Sequence, residues 1–155
     1  MSIAKAGLAA GIVGGAFDLA AATTIYPAMY GIPPLRILQS IASGVLGAQA
    51  YAGGMPTALL GVGLHFFIAI VAGFVLAVAL ARVTALRQPV FVTAAGFGIG
   101  VYFFMQLIVL PLSQFAQREL SLAAHAVGLA IHVFIFALPM VLVARRLLAG
   151  RAVAA

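Results

Sequence analysis

Four long apolar stretches, about residues 7–26, 57–81, 90–111 and 122–144, alternate with short segments in which proline, glycine and charge collect. A bilayer core about 30 Å thick needs roughly 20 apolar residues per helical crossing, and each stretch is long enough. A membrane β-strand would instead show about ten residues of alternating polarity, a pattern absent here. The breaks fall at Pro27, Pro33 and Pro34, at Arg82 to Pro89, and at Pro111 to Glu119. The pattern predicts an all-α integral membrane four-helix bundle forming one domain over residues 1–155.

The segment between the first two spans is longer than a turn requires. Pro33-Pro34 opens it, Gly53-Gly54 closes it, and residues 35–51 read as a helix. Leu38, Ile41 and Val45 fall on one face, and Arg36, Ser40, Ser43 and Gly47 on another. That division predicts a short amphipathic interfacial helix on the outer membrane surface. A re-entrant or packed loop helix is the alternative.

Composition agrees with the pattern: the chain is 66% hydrophobic and 6% charged, whereas soluble domains are about a quarter charged. The net charge of +6 raises nucleic acid as a partner. However, the cations pair at the ends of apolar runs, as at Arg145-Arg146, and form no basic face. No nucleic-acid binding is expected; the expected partners are the lipid bilayer and other membrane subunits or a homo-oligomer. With no cysteine, there are no disulfides, thiol chemistry or Cys-ligated metals.

Lys5, the apolar run and Ala20-Ala21-Ala22 also have the form of a signal peptide; the expectation is a retained helix. With the N-terminus inside, Lys5, Arg82, Arg87, Arg145, Arg146 and Arg151 are cytoplasmic, and only Arg36 and Arg118 face out. By the positive-inside rule both termini are cytoplasmic.

Small residues recur four apart: Gly11 and Gly15, then Gly61, Ala69 and Gly73 with His65 between them, then Gly96 and Gly100 with Gly98 beside them. Lipid tails are as apolar as Leu, so such grooves let helix backbones approach closely. Pro139 is expected to kink the last span, and Thr23 and Thr24 to bond back to their own helix. Arg36 and Glu119 are expected outside, paired, on lipid headgroups or simply solvated.

Polar side chains in hydrocarbon are costly and usually turn toward the bundle interior. At about 1.5 Å per residue, Asp18 and His65 lie roughly 12 Å below the outer ends of their spans, Tyr102 roughly 13 Å and His132 roughly 15 Å. Each belongs to a different helix, yet all reach a similar depth. Gln106 is one turn above Tyr102, and His125 is near the outer mouth. Asp18, His65, Tyr102, Gln106 and His132 are therefore the candidate intramembrane site.

Several chemistries suit these residue types. Asp18 with His65 and His132 has the ligands of a metal site, or of a proton relay. His65 and His132 are also a possible axial pair for haem b. A lipophilic ligand or a transported ion is another occupant, and a purely structural hydrogen bond from Asp18 to a histidine is the plainest role. No catalytic motif is present: without Cys, the serines lack a matched His–Asp set. The leading expectation is a non-enzymatic membrane protein, such as an accessory subunit. A ligand- or ion-handling bundle comes next, and a haem or metal redox protein third.

Residues Arg36 to Gly44, Leu64-His65-Phe66, Val109 to Ser113, and His132 with Leu138-Pro139 and Arg145-Arg146 resemble recurrent blocks of small uncharacterised bacterial four-span inner-membrane proteins. The layout is more distantly similar to the YagU-like family. The resemblance implies a bacterial inner-membrane location and carries no chemistry.

Overall fold

The computed structural model describes residues 2–83, 86, 89–116 and 121–149. Among them every regular element is helical. Helix α1 runs Ile3–Tyr30, α2 Pro34–Leu46, α3 Gly54–Arg82, α4 Val90–Leu112 and α5 Leu122–Ala149. All but α2 are long and apolar enough to cross a membrane.

The first span extends past both expected ends. At its start the Ser2 hydroxyl accepts from the Lys5 N–H at 3.2 Å. At its end the helix continues through Pro27 to Tyr30, where Gly31, at φ 65°, donates its N–H to the Pro27 carbonyl. Spanning helices tolerate proline because neighbouring groups re-satisfy the freed backbone. Thr23 and Thr24 bond back as expected, to Leu19 and Ala20 carbonyls, each at 2.7 Å.

Helix α2 is shorter than the expected 35–51. Gly47, at φ 59°, ends it, and a 3₁₀ turn, Gly47–Ala52, follows. Its faces are disposed in an informative way. Gln39, Ala42 and Ser43 are buried against the protein, while Leu35, Val45 and Leu46 are exposed. Gln39 donates to the Gly54 carbonyl at 3.0 Å. A Cβ at Gly61 would strike the Leu38 carbonyl, so α2 lies directly on α3. Arg36 sits 5.0 Å over the Tyr51 ring; its suggested companion Glu119 lies outside the described residues, as do Arg87, Arg118 and Arg151.

Helix α1 is central, packed against α3 on one side and α5 on the other, with α4 on the far side of α5. The α1–α3 seam uses the expected small residues: a Cβ at Gly11 would lie 2.5 Å from the Ile70 Cα. The third-span pair behaves differently. Gly96 and Gly100 meet nothing within 4 Å, whereas a Cβ at Gly98 would lie 2.6 Å from the His132 carbonyl oxygen. The expected Gly96–Gly100 packing seam is thus corrected to Gly98. Two residues along a helix turn about 200°, so only one of the two faces can meet α5.

Gly96 and Gly100 instead border an apolar groove of about 470 Å³ between α3 and α4, with Phe67, Val71, Val75 and Phe104. On the side of the chain termini, Ala10, Ala69, Leu76, Phe136, Met140 and Ala144 form the dry core. There Arg145 Nη2 donates to the Leu86 carbonyl at 2.9 Å and to Thr93 Oγ1 at 2.7 Å. It ties α5 to the α3–α4 connection.

Both late spans widen ahead of a proline. In Met105–Val109 and Ile131–Ala137 the backbone takes π geometry. The Leu110 and Leu138 N–H groups then reach carbonyls five residues back, at Met105 and Val133. Pro111 and Pro139 follow at once. Proline offers no N–H and crowds the preceding turn, and a wider turn relieves both problems.

Candidate functional site

The geometry brings polar groups from α1, α3, α4 and α5 together on the α2 side of the dry core. Asp18 projects from α1 and His65 from α3; Asp18 Oδ2 and His65 Nε2 stand 4.0 Å apart. That is longer than a hydrogen bond. The bond His65 does make goes to the α1 backbone, the Gly15 carbonyl at 2.8 Å. Close approach there depends on Gly15, whose Cβ would lie 2.8 Å from that of Ala69. Both side chains are about 85% buried (14% and 15% exposed for His65 and Asp18).

On the other flank of Asp18 stands His132 of α5, within electrostatic reach. His132 Nδ1 donates to the Gly128 carbonyl at 2.8 Å, one turn back in its own helix. Tyr102 of α4 is buried and packs edge-on to His132, with ring centroids 5.3 Å apart. Its hydroxyl is 2.7 Å from His125 Nδ1. Gly128 allows this arrangement: a Cβ there would lie 3.0 Å from the Tyr102 ring and 3.6 Å from the Tyr26 hydroxyl.

Asp18, His65, Tyr102 and His132 are thus neighbours, as depth counting suggests. Gln106 is half-buried and makes no side-chain hydrogen bond among the described residues. Two further members join them. His125 is exposed at the α2-side end of α5, and Tyr26 of α1 lies within electrostatic reach of both Asp18 and Tyr102. Spacing held a signal for the first: His125 and His132 are seven apart, two helical turns on one face. For Tyr26 nothing in the sequence distinguished it from an interfacial tyrosine.

One atom stands out. Asp18 Oδ1 is buried and has no hydrogen-bond partner. Buried polar atoms are nearly always bonded.

The arrangement does not suit the metal or haem readings. Among the described residues no three His, Asp or Glu side chains form a group that could ligate a metal ion between them. A haem bridging His65 and His132 would have to displace α1, which packs against both α3 and α5 and is already bonded to His65 Nε2. Comparison with protein-family models, curated proteins and solved structures found no match.

Proposed function

We propose that this chain is a non-enzymatic, multi-pass protein of a bacterial inner membrane that binds a small ligand or ion at the polar site around Asp18. The observation behind this reading is the buried, unbonded Asp18 Oδ1. A carboxylate serving only to fasten helices gains by bonding both oxygens, since an unsatisfied buried acceptor costs about 1–3 kcal/mol. An open acceptor among groups from four helices instead suits an occupant. A nucleophilic enzyme is disfavoured: Ser40 and Ser43 each donate to a carbonyl of their own helix, and Ser113, just past α4, donates to the Leu110 carbonyl.

The site faces the outer side if the termini are cytoplasmic, as the bias of six cations against two supports. Helix α2 then lies at the outer interface with its exposed Leu35, Val45 and Leu46 edge in lipid. The test is stability in nanodiscs as sodium, ammonium or proton concentration rises. Anything bound to the folded state raises the melting temperature. A rise in the native chain that Asp18→Asn abolishes is expected; equal responses contradict the reading.

A second reading, a subunit of a larger assembly, is favoured by Gly96 and Gly100, which meet nothing within 4 Å. Native mass spectrometry after mild extraction tests it, and a monomer alone counts against it.

A further inference from the structure

Two backbone carbonyls fix the proton positions on the histidines. A carbonyl oxygen only accepts, so His65 Nε2, 2.8 Å from the Gly15 oxygen, and His132 Nδ1, 2.8 Å from the Gly128 oxygen, both carry hydrogen. In the neutral rings the opposite nitrogens are lone pairs. The Tyr102 hydroxyl is engaged by His125 Nδ1. The ring N–H donors flanking Asp18 are therefore already in use, and acceptor capacity remains on both rings and on Asp18 Oδ1. Such a set repels an anion and takes a hydrogen-bearing cation.

Charge narrows the choice. With Asp18 ionised and both rings neutral, the trio carries a net negative charge at membrane depth, where an uncompensated charge is costly. One added proton makes the trio neutral, whether the carboxylate or an imidazole holds it. The smallest occupant meets the need and requires no cavity.

Access is one-sided. Toward the termini lies the packed apolar core, where Ala10, Ala69, Phe136 and Met140 are each less than 5% exposed. Toward α2 the neighbours are Tyr26, Tyr102 and the exposed His125. Arg36 of α2 is occupied by the Tyr51 ring.

We propose that Asp18, His65 and His132 hold one exchangeable proton in common, loaded from and released to water on the α2 side by way of His125 and Tyr102. This rests on the binding-site reading above and names its occupant.

The chain has only two side-chain carboxyls, Asp18 and Glu119, so infrared spectroscopy of the full chain in nanodiscs can assign them. A protonated-carboxyl stretch that titrates with pH, survives Glu119→Gln and vanishes in Asp18→Asn is expected. His132→Gln should move its midpoint by about one pH unit, because it removes one of the groups among which the proton is held. Tyr102→Phe should leave the midpoint in place and slow exchange into D₂O about tenfold, what one lost hydrogen bond is worth. Helical circular dichroism checks that each variant folds.

Absence of any Asp18-dependent titration overturns the proposal, as does exchange indifferent to Tyr102→Phe. If pH has no effect but sodium or methylammonium shifts the Asp18 carboxylate stretch, the proton assignment fails and the binding site stands. If neither pH nor these cations acts, both fail.

Discussion

At the scale of single residues, glycines decide which polar groups can meet. Gly15 lets His65 reach the α1 backbone, Gly128 seats Tyr102, and Gly98 lies against the His132 carbonyl. Valine at Gly98 must push α4 away from α5 where Tyr102 and His132 face each other. Overpacking of this kind costs about 1–3 kcal/mol. Gly96→Val meets open space and should change monomer stability by less than about 0.5 kcal/mol. Denaturant titration in detergent compares the two, and equal losses would refute the assignment of seams. If the subunit reading holds, Gly96→Val weakens association while leaving folding intact. The spacing of Gly96 and Gly100 announces a seam, but spacing is blind to which face a neighbour takes; that choice depends on where α5 lies.

At the scale of elements, the widened turns matter most. Ile131–Ala137 includes His132 and precedes Pro139, so the ring's orientation depends on a proline seven residues further along. In Pro139→Ala the restored N–H can bond the Ile135 carbonyl, and the turn should relax toward regular α geometry. The ¹⁵N resonances of His132 are then expected to shift while total helicity holds. Unmoved resonances would mean that packing, not proline, widens the helix. Pro139 was legible as a disturbance, but the form it takes was not, because a kink and a π turn both relieve the same lost bond. The same limit applies to α2. Its existence followed from periodicity, whereas the burial of Gln39 and Ser43 depends on the polar edge finding partners at the start of α3.

At the scale of the whole molecule, run length and hydropathy were enough for the four candidate spans, since both are properties of the chain alone. Equal depth, a one-dimensional quantity, puts Asp18, His65, Tyr102, Gln106 and His132 at one level. Depth carries no azimuth, so it could not reveal that His65 bonds Gly15 rather than Asp18, nor that α1 stands between the two candidate haem ligands. What emerges is a bundle with an apolar core on the side of the termini and a polar cluster on the α2 side. The cluster can be probed cleanly, because the chain has no native cysteine. Thiolates react and thiols do not, so a cysteine in contact with water is modified far faster than one in hydrocarbon.

Asp18 and Phe17 are adjacent, yet Phe17 is 56% exposed on the outside of the bundle while Asp18 faces its interior. Single Asp18→Cys and Phe17→Cys variants, treated in membranes with a small membrane-impermeant thiol reagent, separate a water-reachable interior position from a lipid face. Position 18 is expected to label from the α2 side, with position 17 inert. Two positions that label alike, or labelling at 17 only, would contradict a water-reachable polar site around Asp18.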